Sequence, residues 1–262
     1  MRKKLLQDKK VFILDMDGTF YLGDRLLEGS LEFIDTLRDK GIDFLFFTNN
    51  TSKAPQFYLD KLVSMGCDID KNQLATSGMV TIDYLLDRFN NPRVYLLGTP
   101  LLEDDFKANG LFLTDDRPDA VVVGFDTTLT YEKLNKACDL IRGGVPFLAT
   151  HPDKNCPLEG GGLMPDCGAM CAFITASTEK EPKYLGKPSF ETIDYVIRRT
   201  GASKKELVFV GDRLETDIAI GSKHGVTTAL VLTGVTRQKD LASSDVNPDI
   251  VADRLVDLTY YL

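Results

Sequence analysis

Three features are missing from this sequence of 262 residues: a long hydrophobic run, a block of Lys and Arg, and a CxxC pair. The basic start MRKKLLQDKK precedes an apolar run of residues 11–14, which is too short for a signal peptide or a membrane span. The net charge of -8 argues against nucleic acid or an anionic membrane as a partner. We therefore expect a globular protein that holds any anionic substrate locally, through a metal.

The cysteine content is odd in number and carries no pattern of a disulfide framework. The five residues are Cys67, Cys138, Cys156, Cys167 and Cys171. Without a secretion signal, such a set predicts reduced thiols in a cytoplasmic protein. A zinc site made of His151 and the last three cysteines is an alternative, but its spacing matches none of the common structural sites. Ordinary buried thiols are the favoured interpretation.

Short apolar runs alternate with longer segments of helical period, a pattern typical of β–α units and a parallel sheet. The predicted strands are residues 11–14, 44–47, 94–97, 120–123, 146–149, 207–210 and 228–232. Apolar residues at helical spacing predict one helix that ends at Gly41 and another between Thr130 and Gly143. The sequence therefore predicts an α/β fold.

The middle of the chain has strands and helices of its own, which suggests an inserted domain. We predict a core domain from residues 1–82 and 182–262 and an inserted domain from residues 83–181. The glycine-rich stretch 159–162 lies in the insertion and is interpreted as a loop. No GxGxxG follows an apolar run, and Gly186-Lys187 lacks the upstream glycine of a P-loop, so neither nucleotide-binding motif is present.

Polar residues follow three of the predicted strands directly. Asp15 and Asp17 come after the first, Thr48-Asn49-Asn50 after the second, and Asp212 after the run 207–210. Ligands of open parallel sheets bind beyond the carboxyl ends of the strands, so we expect these residues to share one site. Two aspartates at this spacing repel each other unless a cation neutralises them, and Mg²⁺ suits oxygen ligands and phosphate.

The segment after Asp212 supplies further acids. Thr216 and Asp217 can be an N-cap and a first-turn acid of a helix over residues 218–223, or they can belong to the site, and the two interpretations are compatible. With a metal in place, one aspartate could attack phosphorus while another donates and accepts the proton. Thr48, Asn49 and Lys187 offer a hydroxyl, amides and an ammonium for the phosphoryl oxygens.

The motifs Asp-x-Asp-Gly-Thr at 15–19, Thr-Asn-Asn at 48–50, Gly-Lys-Pro at 186–188 and Gly-Asp at 211–212 with Thr-Asp at 216–217 occur in a diagnostic order. In this order they resemble the four motifs of the haloacid dehalogenase superfamily. The long insertion and the segment FFTNN resemble its NagD-like or p-nitrophenylphosphatase group. This resemblance implies a Rossmann-like parallel-sheet core with an inserted α/β cap domain of the large, C2 type.

The resemblance assigns the chemistry and the metal to four aspartates. Asp15 corresponds to the nucleophile and a Mg²⁺ ligand. Asp17 corresponds to the general acid and base, whose backbone carbonyl also meets the metal. Asp212 corresponds to the carboxylate ligand of Mg²⁺, and Asp217 to its acidic companion in the metal site. The presence of Asp17 implies a phosphatase, because the second aspartate separates phosphatases from dehalogenases in this superfamily.

The remaining motif residues correspond to groups that hold the substrate. Thr48 resembles the hydroxyl that binds the phosphoryl group, assisted by the backbone of Asn49. Asn50, in the same motif, is a further candidate for substrate binding. Lys187 resembles the residue that orients nucleophile and phosphate. In the predicted cap, His151 and Asp153 are candidate substrate contacts. For His151 the alternative stays open that it is a structural turn residue whose hydrogen bonds are made within the protein.

These assignments predict a Mg²⁺-dependent phosphatase of a small phosphorylated metabolite, either a sugar phosphate or a nucleoside monophosphate, with an aspartyl-phosphate intermediate. The resemblance also suggests a homodimer formed through the cap. One rival is a phospho-acceptor receiver module. In such a module the acidic pair precedes the phosphorylated Asp, whereas here the second acid lies two residues after Asp15, and a compact single domain has no place for the long insertion. The other is a phospho-acceptor or binding protein that keeps the fold without significant turnover.

Overall fold

The computed structural model describes residues 5–158 and 161–262. The described residues divide into two compact units. The first unit is the described part of Met1–Thr48 with Leu59–Ala75 and Ile193–Leu262, and the second is Asn49–Tyr58 with the described part of Thr76–Thr192. The start of the glycine-rich stretch, at 159 and 160, lies outside the described residues, so the loop predicted there stays a prediction.

A six-stranded sheet organises the first unit. In chain order its strands are β1 (Val11–Leu14), β4 (Asp43–Thr48), β5 (Leu74–Thr76), β13 (Leu207–Gly211), β14 (Thr227–Val231) and β15 (Ile250–Ala252). Their order across the sheet is β15-β14-β13-β1-β4-β5, and β15, β14, β13, β1 and β4 pair in parallel. β1 therefore has β13 on one side and β4 on the other, and the carboxyl ends of these three parallel strands lie side by side at the same end of the sheet.

The second unit contains a five-stranded parallel sheet. Its strands are β6 (Arg93–Leu97), β7 (Phe112–Leu113), β8 (Ala120–Val123), β9 (Phe147–Ala149) and β12 (Lys183–Tyr184), in the order β12-β9-β8-β6-β7. Two antiparallel pairs accompany the large sheets. They are β2 (Tyr21–Leu22) with β3 (Arg25–Leu26) in the first unit, and β10 (Asn155–Pro157) with β11 (Leu163–Pro165) in the second.

Helices connect the strands, as the alternating pattern predicts. They are α1 (Ser30–Asp39), α2 (Pro55–Ser64), α3 (Ser77–Leu86), α4 (Pro100–Ala108), α5 (Tyr131–Arg142), α6 (Cys167–Thr178), α7 (Phe190–Thr200), α8 (Ala219–His224) and α9 (Gln238–Leu241). Side-chain caps fix several starts: Thr130 accepts a hydrogen bond from the Lys133 backbone at 3.2 Å, and Thr99 accepts one from Leu102 at 3.3 Å. Such caps satisfy backbone donors that the first turn of a helix leaves unpaired.

Continuous apolar runs form strands that are buried on both faces of a sheet. All four residues of β1 and all four of β8 are buried, as expected for parallel strands with helices on both faces. Phe12 of β1 meets Phe33 of α1 edge to face, with ring centroids 5.7 Å apart. The core of each unit is therefore its sheet together with the apolar faces of its helices.

The predicted α/β class with a parallel-sheet core is confirmed. The predicted helices end as expected, with Thr130 and Gly143 as the caps of α5 and α1 followed by Gly41. The predicted boundaries of core and cap at 82/83 and 181/182 stay a prediction. Among the helices of the described residues, none has both the length and the hydropathy that a membrane span requires.

Core packing in the second unit gives a prediction about stability. Phe106 of α4 is fully buried, whereas Phe173 of α6 is 48% exposed. We expect Phe106→Ala to lower the free energy of unfolding by about 3 to 5 kcal/mol, because it removes buried apolar area and leaves a cavity. Phe173→Ala is the matched helical control and should change it by no more than about 0.5 kcal/mol. Urea unfolding followed by circular dichroism measures both, and equal effects would contradict the assigned packing.

Candidate active site

Three aspartates of the first unit come together at the carboxyl end of the six-stranded sheet. Asp15 follows β1, Asp212 follows β13, and Asp217 lies one turn further along the chain. Each offers a carboxylate oxygen that lies within 4.8 Å of the others. Asp212 and Asp217 are buried, and Asp15 is half-buried, so Asp15 is the member of the cluster that a solute can reach.

Asp212 is held by the loop that follows β14. The backbone N–H of Val235 donates to its Oδ2 at 2.6 Å, and the backbone N–H of Thr236 donates to its carbonyl at 3.1 Å. The Thr19 hydroxyl lies 3.5 Å from Oδ1, at the limit of a hydrogen bond. A backbone N–H is a favourable donor to a buried carboxylate, so this loop holds the Asp212 side chain in position.

Asp217 lies inside a π-helical turn, Leu214–Ile218, that leads into α8. Thr216 is inside the same turn, so its predicted role as the N-cap is wrong. The π-helical turn begins at Leu214 and occupies the residues at which the sequence suggests an ordinary helix start. The Arg213 N–H donates to Asp217 Oδ2 at 3.2 Å. A Cβ on Gly211 would lie 2.1 Å from Asp217 Cγ. Only glycine at position 211 lets this carboxylate approach the end of β13.

Asp17 stands apart from the carboxylate cluster within the described residues. Burial raises the pKa of its carboxyl, and the charges of Lys61 and Arg213 only partly oppose the effect. The next residue, Gly18, has φ +87°, and its N–H donates to the Tyr21 carbonyl at 2.7 Å in a tight turn. A carboxyl with a raised pKa is suited to proton transfer near neutral pH.

The donor set of the cluster fits a hard divalent cation. Asp15, Asp212 and Asp217 supply oxygen ligands only, and Mg²⁺ and Ca²⁺ prefer such ligands. Three carboxylates at this spacing repel one another strongly where water is excluded, and a bound cation removes that repulsion. The predicted metal ligands 15, 212 and 217 are therefore together, whereas the Asp17 side chain is not part of this group.

Thr48 is the last residue of β4 and is buried. Strand β4 pairs with β1 so that Phe46 lies opposite Leu14, the residue before Asp15. Thr48 therefore lies at the carboxyl end of β4, beside the strand β1 that leads directly into Asp15.

The second unit carries the other predicted residues. The Asn49 side chain bonds to both backbone groups of Lys187 and to the Asp153 carboxylate. Asn50 Oδ1 accepts hydrogen bonds from the N–H and the hydroxyl of Ser52, at 2.9 and 2.8 Å. Asn49 is 7% exposed and Lys187 only 2%. The sequence motifs suggested these residues, but no local pattern indicated that the Asn49 side chain binds backbone.

His151 follows β9 and has no exposed surface. Its Nδ1 lies 2.8 Å from the Thr150 hydroxyl, and its Nε2 lies 2.9 Å from Asp166 Oδ1. Burial is the largest single influence and lowers the pKa of His151. The charges of Asp166 and Cys167 and the hydrogen bond to Asp166 together outweigh burial, and the pKa rises to about 9. These contacts favour the alternative of a satisfied structural histidine over a direct substrate contact.

The five cysteines are free thiols, of which Cys156 is half-buried and the others are buried. The Cys167 thiol donates to the Val123 carbonyl at 3.2 Å. Within the described part of the chain, the alternative zinc set of His151 with three cysteines does not come together as a metal-binding group.

The His151–Asp166 pair predicts how stability depends on pH. Protonation of His151 is favoured in the folded state, so its stabilisation is complete below pH 6.5 and is lost as the pH rises to about 9. Asp166→Asn removes the charge and keeps a good N-cap for α6. We expect this variant to be less stable than the wild type by up to about 3 kcal/mol below pH 6.5, with the difference shrinking above pH 9. Urea midpoints across pH 5.5 to about 9.5 test it; a difference that does not vary with pH would contradict the ion pair.

The approach of Asp217 to Gly211 predicts an effect on metal binding. Gly211→Ala must displace the Asp217 carboxylate, because the added Cβ overlaps its Cβ and Cγ atoms. We expect a loss of about 10- to 100-fold in Mg²⁺ affinity, measured by isothermal titration calorimetry. Gly162→Ala is the control, since its added Cβ meets Leu158 at an ordinary 3.7 Å. Equal affinity in the two variants would show that Asp217 does not support metal binding.

Two family models match the parts of the chain that carry most of the predicted site residues. A family model of haloacid dehalogenase-like hydrolases matches residues 12–112, and a HAD-hydrolase-like model matches residues 184–258. The two models include the strand ends at Asp15, Thr48 and Asp212 and also Lys187. The intervening residues 113–183, which carry β8 to β11, lie outside both models.

Relatives match nearly the whole chain. The 5'-nucleotidase YutF of Bacillus subtilis (strain 168) is 35% identical over 97% of this chain and 98% of its own. An acid sugar phosphatase of Staphylococcus aureus (strain USA300) is 36% identical over 93% of this chain and 94% of its own. The solved structure of a 4-nitrophenylphosphatase from Thermotoga maritima is 46% identical, covers 97% of this chain and 98% of its own, and superposes with a TM-score of 0.93. With such relatives along its length, the chain belongs to the haloacid dehalogenase-like hydrolase family, in its NagD-like and p-nitrophenylphosphatase-like group.

Proposed function

We propose that this protein is a Mg²⁺-dependent phosphatase that hydrolyses small phosphomonoesters through an aspartyl-phosphate on Asp15. The observation that carries the proposal is the cluster of Asp15, Asp212 and Asp217, in which the half-buried Asp15 is backed by two buried carboxylates. The names of the relatives support it, because the three described above are a nucleotidase, a sugar phosphatase and a nitrophenylphosphatase.

The residues that would hold Mg²⁺ are Asp15, Asp212 and Asp217, with the backbone carbonyl of Asp17 as the family resemblance implies. The bound cation would neutralise these carboxylates and the charge of the phosphoryl oxygens. A buried carboxylate that already accepts a backbone N–H, as Asp212 and Asp217 do, keeps its remaining oxygen oriented. The chain thus provides a fixed set of oxygen ligands before any ligand binds.

The chemical steps fall to Asp15 and Asp17. A carboxylate oxygen of Asp15 attacks phosphorus, an O–P bond forms, and the bond from phosphorus to the ester oxygen breaks. Asp17, with its raised pKa, donates a proton to the leaving oxygen. In the second step Asp17 accepts a proton from water, the water oxygen forms a bond to phosphorus, and the bond from phosphorus to the Asp15 oxygen breaks. Inorganic phosphate and a free Asp15 carboxylate result. One difficult displacement is thereby divided into two easier ones.

Three further groups are proposed to hold the phosphoryl oxygens. The Thr48 hydroxyl and the Asn49 backbone N–H would donate hydrogen bonds, and the Lys187 ammonium would offset negative charge. Phosphoryl transfer depends mainly on positioning and on electrostatic stabilisation, which is why a hydroxyl, an amide and a cation are suitable.

The substrate is proposed to be a sugar phosphate or a nucleoside monophosphate, with p-nitrophenyl phosphate as an artificial substrate. The names of the relatives support both classes. Asn50 and Asp153 remain proposed contacts for the substrate. A cytoplasmic location is supported by the free thiols, and a dimer formed through the predicted cap remains a proposal from resemblance.

The first test replaces the nucleophile. Asp15→Asn should reduce phosphate release by at least about 10³-fold, because an amide is a poor nucleophile and a weak ligand for Mg²⁺. The assay uses p-nitrophenyl phosphate and a panel of sugar phosphates and nucleoside monophosphates, with Mg²⁺ and with chelator. Asp39→Asn, at the exposed end of α1, is the control and should retain wild-type activity.

Each outcome of this test is informative. Metal-dependent release in the wild type that disappears in Asp15→Asn supports the proposal and ranks the substrates. Substantial turnover in Asp15→Asn contradicts the role of Asp15. A phosphorylated Asp15 that persists without release would favour the rival, a phospho-acceptor without significant turnover.

A further inference from the structure

The side chain of Asn49 forms hydrogen bonds with the backbone of Lys187 and with the carboxylate of Asp153, which both lie in the same unit. Asn49 Oδ1 accepts a hydrogen bond from the Lys187 N–H at 3.0 Å, and Asn49 Nδ2 donates to the Lys187 carbonyl at 3.1 Å. The same nitrogen donates to Asp153 Oδ2 at 2.9 Å. One amide group therefore binds both polar backbone atoms of the lysine.

These partners determine which way the amide points. The Lys187 N–H can only donate, whereas the Lys187 carbonyl and the Asp153 carboxylate can only accept when the carboxylate is ionised. Rotation of the amide by half a turn would set donor against donor and two pairs of acceptors against each other. The observed orientation of Asn49 is thus the one that satisfies all three contacts.

The surroundings leave this contact little room to move. The Asn49 carbonyl accepts a hydrogen bond from the Ser77 hydroxyl at 2.7 Å, and both residues are buried. A Cβ on Gly186 would lie 2.7 Å from Asn49 Oδ1 and 2.5 Å from the Thr150 carbonyl. The Gly186 N–H donates to that Thr150 carbonyl at 2.7 Å. The chain on the N-terminal side of Lys187 is therefore fixed by backbone, and the lysine itself by Asn49.

We propose that Asn49 is a positioning residue for Lys187, and that its side chain acts on the reaction through this lysine rather than on the substrate. The inference rests on the proposed function, in which the Lys187 ammonium meets the phosphoryl group. A flexible side chain delivers its charge accurately only if its own Cα is fixed. A misplacement of about 1 Å in a catalytic group can lower the rate by about 100-fold.

Amide hydrogen exchange tests the contact without any use of activity. Asn49→Ala should raise the exchange rate of the Lys187 amide by about 10-fold, because its acceptor is lost. The amides of Leu185 and Gly186, which donate to Ala149 and to Thr150, serve as internal references and should change little. An unchanged rate at Lys187 would overturn the proposal.

Steady-state kinetics on p-nitrophenyl phosphate tests the functional part with a double-mutant cycle. Lys187→Met and Asn49→Ala should each lower kcat, the second by about 10- to 100-fold. The double variant should be no slower than Lys187→Met alone, because the Asn49 side chain is proposed to act only through the Lys187 ammonium, which is then absent. A merely structural role would instead make the two losses multiply, and that result would overturn the proposal.

Two controls complete the experiment. Asn135→Ala removes an exposed asparagine whose amide donates to Asp139 at 3.3 Å, and it should retain wild-type kcat. Asn49→Asp preserves the size and shape of the side chain and replaces Asn49→Ala if that variant does not fold. It should also lower kcat, because a carboxylate repels the Lys187 carbonyl and the Asp153 carboxylate. Normal turnover in Lys187→Met would contradict the role of the lysine itself, and the exchange measurement would still decide whether Asn49 holds it.

Discussion

The candidate site of the first unit is built around a concentration of negative charge at one end of a buried sheet. Asp15, Asp212 and Asp217 present oxygens within 4.8 Å of one another, and two of the three are buried. Two unit charges about 4 Å apart repel by about 1 kcal/mol in water and by about 4 kcal/mol at the effective dielectric constant of a protein surface. Backbone donors offset part of this repulsion, and a bound cation would offset more. The loops around the cluster provide the donors.

Both compensating donors come from segments that fold back over a strand end. The loop after β14 brings the Val235 N–H to Asp212, and the π-helical turn after β13 brings the Arg213 N–H to Asp217. The turn also carries Leu214 and Ile218, which pack with Leu230 in a small apolar cluster. The wider helical turn thus satisfies a carboxylate on one side and buries two aliphatic side chains on the other.

Much of this arrangement could be predicted from the sequence, because strands buried on both faces are visible as continuous apolar runs. Runs 11–14, 44–47 and 207–210 all form strands, and the acids that follow the first and the third lie at the carboxyl end of the sheet as expected. The π-helical turn could not be predicted, since Thr216 and Asp217 have the residue types of an ordinary helix start. The decisive difference is the close approach of Asp217 to Gly211, which depends on tertiary packing. Likewise, the hydrogen-bond partner of His151 Nε2 is Asp166, fifteen residues away, so no local pattern could show that this buried histidine has a partner.

Asn49 shows why a motif can be recognised without its physical role being visible. Its partners Asp153 and Lys187 are 104 and 138 residues away in sequence, so no local pattern relates them. An amide is the only side-chain group that offers an acceptor and two donors on one planar unit. Serine would lack the second donor, and aspartate would replace donors by a charge that both partners repel. The requirement for asparagine at this position therefore follows from the backbone groups and the carboxylate that it binds, independently of any phosphate.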